Sequence, residues 1–419
     1  MTAVIFLVLL LGAVPISIVL IMTSAWYVRA SGNDVLFTSF AQQLFSGIES
    51  YGLLAIPLFM LTGELMNEGG ATRRLVHAAR VFVGGFRGGL AYINLLANMF
   101  MAAIIGSAVS QIAVMSRAMV PVMEAEGYRK DFATATTAAG GLLAPIIPPS
   151  MLLVIYGVLA QLPISDLFIA AIIPGLMLTG SFFVVVALIG LKQQFPKGEW
   201  MSAGAAGKAL LAAVPAAMIP AVIVGSILFG IATPTESAAI ASVIALMIGA
   251  LIYRDLNWSR FLSMFLRVAA SSSMVIFLIA AANVFGWVVI YEALPQRLTA
   301  MLVELTQNPL VFLLIVMGVL FLVGMVIDGI AALILVVPLL LPVAVGVYGI
   351  HPVQFGLVIS LNLVLGLLTP PVGAGLYVAA AMTGARPTAI FMQLLPFLAV
   401  SLIVLLLLCL FPWLTLALI

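Results

Sequence analysis

The chain has 419 residues, is 65% hydrophobic and 7% charged, and carries a formal net charge of +2; its mean hydropathy is +1.32. This composition excludes a soluble domain of such length and points to a polytopic α-helical membrane protein, because long apolar runs make helices whereas barrel strands alternate. There is no basic tract of the kind nucleic acid requires, and the single cysteine, Cys409, excludes an internal disulfide.

The N-terminal stretch MTAVIFLVLLLGAVP has no basic n-region and no small-residue cleavage signal, so it reads as a retained membrane segment. Spans are predicted over 4–28, 51–68, 132–160, 167–191, 208–230, 236–253, 268–290, 353–383 and 388–415. Each has about the 17–25 residues a bilayer needs, or somewhat more. Residues 90–123 are too long for one helix and short for two spans. That run breaks at Gly106-Ser107-Ala108 into arms of about 15 residues, which at about 1.5 Å per residue fall short of a core roughly 30 Å thick. A re-entrant hairpin is therefore predicted over 88–127, and a second over 309–350 with its tip at Gly324 to Gly329.

Two of the predicted spans contain a double proline. Pro148–Pro149 interrupts 132–160 and Pro370–Pro371 interrupts 353–383; these pairs are 222 residues apart, as are Pro174 and Pro396. Paired prolines remove helical hydrogen bonds. Bare backbone at membrane depth survives only where it is buried in protein or lines a cavity. Two broken helices at matching places in two halves point to a substrate or ion site at the midplane of a transporter.

The charges agree with this layout. With the N-terminus and the base of the first hairpin in the cytoplasm, 13 of the 16 Lys and Arg are cytoplasmic: Arg73, Arg74, Arg80, Arg87, Arg129, Lys130, Lys192, Lys197, Lys208, Arg254, Arg260, Arg267 and Arg386. Arg29 and Arg297 are periplasmic, and Arg117 lies within the first hairpin. This is the positive-inside pattern. The second hairpin then opens to the opposite face, so the halves form an inverted repeat. The repeat includes Leu11-Gly12-Ala13-Val14-Pro15 and Phe229-Gly230-Ile231-Ala232-Thr233-Pro234, each just before an apolar helix. Each half is predicted to run helix, amphipathic segment, helix, hairpin, broken helix, helix.

At the first tip, Gly106, Ser107 and Ser110 offer close backbone approach and hydroxyl oxygens. Opposite stand Gly140, Ala144 and Pro145. The second tip holds Asp328, the only acid deep within an apolar run, facing Asn362, Gly366, Thr369 and Pro370. An intramembrane acid is a functional candidate because its burial is costly; capping of a hairpin arm is the other reading of Asp328. Arg117 either snorkels to the cytoplasmic face or faces the anion path. Asn362 serves a site or an interhelical hydrogen bond. Glu64 and Glu68 read as interfacial, and His77 and His351 as solvated loop residues.

These segments occur in a familiar order. IPLFMLTGELMNEGG, GSAVSQIAV, GGLLAPIIPPSMLLVIYG, LFGIATPTESAAIAS, GMVIDGIAALILVVPLLLPV and LNLVLGLLTPPVGAGLYVAA together resemble the large membrane subunit of TRAP (tripartite ATP-independent periplasmic) transporters, over essentially the whole chain. The resemblance implies an all-α, inverted-repeat, elevator-type importer of organic acids such as C4-dicarboxylates or sialic acid, in the bacterial inner membrane and driven by Na+. It implies two partners, a periplasmic substrate-binding protein and a small four-helix membrane subunit, here expected as a separate chain because Met1 stands at the start of the large-subunit pattern. One Na+ is expected between the first tip (Gly106, Ser107, Ser110) and Gly140 to Pro145, with Ala144. The other is expected among Gly324, Asp328, Gly366 and Thr369. The substrate carboxylate is expected between the tips, among Ser107, Arg117, Pro149, Asn362, Thr369 and Pro371. The family often has a Ser-Ser-Thr run before its first proline cluster; Gly140-Gly141-Leu142 here leaves backbone carbonyls as ligands in that half. The division that follows is scaffold over 1–87 and 208–305, and transport domain over 88–192 and 306–419.

Other classes fit less well. Only one acid lies deep, and there is no HExxH or Asp-rich magnesium motif, so the intramembrane enzymes lack their residues. Broken helices also build channels, but hairpins on opposite faces favour alternating access. A stand-alone sodium/dicarboxylate symporter differs in needing no binding protein.

Overall fold

The structure is a computed structural model that describes residues 2–12, 14–32, 36–83, 85, 87–192, 195–196 and 200–419. Every helix or strand element among the described residues is a helix. The first half comprises α1 (Thr2–Leu11), α2 (Ile16–Ala30), α3 (Leu36–Ser46), α4 (Ala55–Glu68, led in by a 3-10 turn), α5 (Ala71–Val83), α6 (Gly89–Ile105), α7 (Ala108–Ala125), α8 (Lys130–Gly141), α9 (Met151–Ala160) and α10 (Ile164–Lys192). The second comprises α11 (Ala203–Leu228), α12 (Pro234–Met247, ending in a π turn), α13 (Trp258–Tyr291), α14 (Leu294–Leu305), α15 (Pro309–Gly324), α16 (Gly329–Gly346), α17 (Pro352–Gly366), α18 (Ala374–Thr383), α19 (Pro387–Leu410) and α20 (Trp413–Leu416). Among the described residues six helices are long and apolar enough to cross a membrane, or up to eight if each bent pair is one span.

Local chemistry sets the helix starts. Thr233 and Glu236 form a reciprocal capping box with Pro234 at the first position of α12. The Asn308 carboxamide accepts from the Leu310 N–H to open α15, and Ser150 caps α9. His351, read from sequence as solvated, is exposed and also caps α17 by accepting from the Val353 N–H.

One register relates the halves. Shifting α5 to α10 by 222 residues brings each onto its counterpart, α14 to α19, with starts within about two residues. Packing obeys the same exchange. Helix α4 packs on α12 as α13 packs on α2, and α7 packs on α18 as α16 packs on α9. Within lipid, helices associate through close packing and hydrogen bonds rather than hydrophobic burial. At the α4–α12 contact Thr62 and Ser242 hydroxyls lie 2.8 Å apart, and Gly69 meets the backbone of Gly249.

Three predicted elements differ. The run 4–28 is two helices, because Pro15 fixes φ at −52° and its predecessor leaves the helical region. The segment 254–267 is not a separate amphipathic piece; from Trp258 it is continuous with α13. Short helices α5 and α14, which the predicted order omits, precede the two hairpins, and α14 meets α15 at a 116° bend. Ala13 and Lys197 lie outside the described residues, as does the side chain of Arg260.

Candidate functional site

Each hairpin turns in a few residues. Helix α6 ends at Gly106, whose φ of +62° suits glycine, and a Cβ there would stand 3.3 Å from the Met151 nitrogen. Ser107 is extended, and α7 begins at Ala108. In the second hairpin α15 ends at Gly324, and Asp328 caps α16 by accepting from the Ile330 N–H at 3.1 Å.

Opposite each tip a helix unwinds. After α8 the N–H groups of Leu142, Leu143 and Ala144 turn back three residues, to Ala139, Gly140 and Gly141. The chain then passes the cis Pro148–Pro149 bond and re-enters helix at Met151. The Ser150 hydroxyl donates to the Pro145 carbonyl at 2.6 Å. After α17 the same turns run from Leu367, Leu368 and Thr369, followed by the cis Pro370–Pro371 bond. The Gly373 N–H donates to the Met325 carbonyl at 2.9 Å, stitching this break to the second tip.

The two tips meet. Gly106, Ser107, Pro145, Asp328, Leu152 and Val364 line one cleft of about 30 Å³, room for about one water. The N-terminal turns of α7, α9 and α16 open onto it. Helix N-termini carry partial positive charge and free N–H groups, so such a cleft attracts an anion.

Behind the first tip lies a buried amide network. Gln111 donates to the Asn98 carbonyl (2.8 Å) and side-chain oxygen (2.9 Å) and to the Gly140 carbonyl (3.2 Å). Asn98 donates to the Asn94 side chain at 2.8 Å, and Asn94 donates to Thr137 at 2.6 Å. Asn94, Asn98, Gln111 and Thr137 are fully buried. Behind the second tip the contact is backbone on backbone: a Cβ on Gly366 would lie 2.4 Å from the Gly324 carbonyl carbon, and one on Gly324 2.5 Å from the Leu363 oxygen. Asn362 donates to the Met317 carbonyl at 2.8 Å. The Gln111 and Asn362 side-chain oxygens are buried without a hydrogen-bond partner. No group of three or more His, Cys, Asp and Glu occurs among the described residues. The donor set is oxygen from carbonyls, amides and hydroxyls, which suits a hard cation such as Na+ and not a transition metal.

The structure thus gathers Gly106, Ser107, Pro145 and Asp328 at one cleft, with Gly140 and Ala144 buried behind the first tip and Gly324, Asn362, Gly366 and Thr369 behind the second. Pro149 lines a second small cavity together with Gly106 of the first tip. The Thr369 hydroxyl donates to the Leu365 carbonyl. Three predicted residues lie neither at the cleft nor in the buried layer behind the tips. Ser110 is exposed on α7, Pro371 is exposed, and Arg117 lies about three turns down α7 with its Nε 3.0 Å from the Met382 sulfur. Sequence reasoning missed Asn94, Asn98 and Gln111. The signal was available: they are the only amides in the apolar run 90–123, and positions four apart share a helix face.

Broken helices facing each other across paired hairpins define a multi-pass membrane transporter. Residues 3–414 match the family described as tripartite ATP-independent periplasmic transporter, DctM component, and the chain belongs to that family. It is 36% identical over 411 residues to the sialic acid TRAP transporter large permease protein SiaM of Vibrio cholerae, covering 98% of this chain and 96% of that protein. It is 34% identical to the 2,3-diketo-L-gulonate TRAP transporter large permease protein YiaN of Escherichia coli, over 89% of this chain and 88% of that one. In fold it resembles the Alcanivorax borkumensis YdaH transporter, with a TM-score of 0.65 at 16% identity, covering 92% of this chain and 89% of that chain. The chain is therefore the large permease component of a TRAP transporter, a multi-pass protein of the bacterial inner membrane and not an enzyme.

Proposed function

We propose that this chain imports an organic acid by an Na+-coupled elevator movement, acting with a periplasmic substrate-binding protein and a small membrane subunit. The observation that carries the reading is the convergence of both tips on one cleft that three helix N-termini face. The free N–H groups of those helix starts suit a carboxylate oxygen, and the water-sized space between the tips admits one such atom. The relatives' names add support, since sialic acid and 2,3-diketo-L-gulonate are both carboxylates; a C4-dicarboxylate fits the same chemistry.

Na+ would be held at the first tip by Gly106 and Ser107 with carbonyls of Gly140 to Pro145, and at the second by Gly324, Asp328, Gly366 and Thr369. The unpartnered oxygens of Gln111 and Asn362 lie beside those two places. The cation supplies the positive charge that lets an anion enter low-dielectric surroundings. The residues of this chain do the rest: the tip glycines let backbones touch, Asp328 fixes the start of α16, and Ser107 presents a hydroxyl to the cleft. The hairpins, the broken helices, α10 and α19 would then move as one body against a scaffold built from α2, α4, α5, α11, α12 and α13.

The test needs neither partner. The melting temperature of the purified chain should rise saturably with Na+ and not with K+ or choline at equal ionic strength, because a ligand that binds only the native state stabilises it. Asp328→Ala and Ser107→Ala should weaken that dependence about tenfold while leaving the melting temperature in K+ unchanged. Unaltered Na+ dependence in both variants would overturn the site assignment. Uptake into vesicles only after a periplasmic protein is added would separate this reading from a stand-alone symporter.

A further inference from the structure

A cleft of about 440 Å³ opens between α5 and α11. Arg73, Arg74, His77 and Arg80 line it from α5, and Ala209 and Ala212 from α11. Among the described residues only Asp255 offsets these arginines, pairing with Arg73 at 3.1 Å and Arg74 at 2.6 Å. Arg74 also stacks on the Tyr253 ring at 3.8 Å. No ion pair or side-chain hydrogen bond engages Arg80 or His77 among the described residues, so the cleft keeps excess positive charge.

The cleft has an apolar flank. On α11, Leu211, Val214 and Met218 are exposed at 73%, 51% and 50%, within a helix long and apolar enough to span the membrane. A basic pocket thus adjoins an exposed apolar stripe on a helix long enough to span the membrane. The ligand that matches both parts is an amphiphile with an anionic head. The other half shows that the fold does not require these cations: α14, the counterpart of α5, carries Arg297 and Glu304 instead.

We propose that this cleft binds the phosphate headgroup of an anionic phospholipid of the cytoplasmic leaflet, with its acyl chains along α11. Basic pockets between helices on the cytoplasmic side attract such headgroups, each nearby cation adding to the surface attraction. Arg73 and Arg80 take the phosphate, Arg74 stays anchored to Asp255 and Tyr253, and the lipid fastens α5 to α11. This site is independent of the transport cleft, so its test is separate from the Na+ titration.

The experiment compares melting temperatures of the delipidated chain in detergent with added phosphatidylglycerol, phosphatidylcholine or glycerol 3-phosphate. Phosphatidylglycerol should raise the melting temperature saturably by several degrees, while the other two leave it unchanged. Arg73→Gln/His77→Gln/Arg80→Gln should abolish at least three quarters of that rise and melt like the parent in phosphatidylcholine. Arg129→Gln/Arg386→Gln, which removes cytoplasmic charge elsewhere, should keep it. If the triple variant folds poorly, Arg73→Lys/Arg80→Lys retains the charge and should retain most of the rise. An equal rise with phosphatidylcholine, a full rise with glycerol 3-phosphate alone, or its loss in the Arg129/Arg386 variant would each overturn the proposal.

Discussion

The two hairpin tips occupy equivalent places in the repeat and are secured by opposite means. The first is held by side chains: Gln111, Asn98, Asn94 and Thr137 form a continuous buried hydrogen-bond path from α7 through α6 to α8. Shifted by 222 residues, those positions become Leu333, Leu320, Val316 and Ile359, all apolar. The second tip is held by backbone: Gly324 lies against Gly366 and Leu363, and Gly373 donates to Met325. The position equivalent to Gly366 is Ala144, which has room for its methyl group. One turn geometry therefore has two energetic solutions, amide satisfaction in one half and glycine-enabled contact in the other.

The largest effect should come from breaking the glycine contact. Gly366→Ala would place a methyl carbon 2.4 Å from the Gly324 carbonyl carbon and 2.7 Å from the Met325 nitrogen. Those neighbours are backbone and cannot rotate away, so the cost should reach about 3 kcal/mol or more. Uptake should be lost and the melting temperature should fall. The equivalent Ala144→Gly should leave uptake within about twofold. Equal sensitivity at both positions would collapse the comparison. Gly140→Ala should fall between, because there the methyl group meets the Asn98 side chain and not backbone.

Next come exchanges between the halves. Gln111→Leu installs the residue the second half uses at that position and strands buried acceptors on Asn98 and Gly140. Leaving buried polar groups unpaired costs about 1–3 kcal/mol. The reverse change, Leu333→Gln, buries an amide where Leu320 and Ile359 provide no side-chain partner, and should cost at least as much. Denaturation in detergent would measure both. If either exchange is neutral, the tips are less specialised than their hydrogen bonds indicate.

Much of the fold was legible because its signals repeat. The double prolines, the Gly106-Ser107 and Gly324–Gly329 breaks and the one-sided Lys and Arg gave the hairpins and broken helices. What stayed hidden depends on tertiary placement. Residues 36–68 form a pair of helices bent by 49°, while the equivalent stretch in the other half is the single helix α13. Sequence and packing combine here: Ser46-Gly47-Ile48-Glu49-Ser50 stands where the other half has Val268-Ala269-Ala270-Ser271-Ser272, and Gly47 seats the distant Asn283, since a Cβ there would lie 2.6 Å from that side chain. Ser110 and Arg117 read as site residues by their nearness to the tip in sequence. Helical rotation carries the first to the exposed face and length carries the second down the arm.

The smallest effect concerns the short helices before the hairpins, where the halves also part ways. Helix α5 is anchored through Arg74 to Asp255, and Gln296 on α14 stands where Arg74 would be. The hydrogen bond from Arg74 is the main reason the Asp255 carboxyl is held below the usual carboxylate range, with burial opposing it and the Arg74 and Arg73 charges adding to it. Because the folded state lowers this pKa, the contribution is present above the unfolded value and disappears as pH falls through the folded one, below about pH 4. Asp255 keeps 32% of its side chain exposed, so the pair is worth about 0.2–1 kcal/mol. Asp255→Asn should therefore lower the melting temperature slightly at pH 7, and the difference should shrink as the pH is taken down below about 4. Comparing variant and parent at the two extremes isolates the ion pair, since changes elsewhere in the protein cancel. An equal loss at both pH values would mean that Asp255 stabilises α5 by packing, and α5 and α14 would then be held alike.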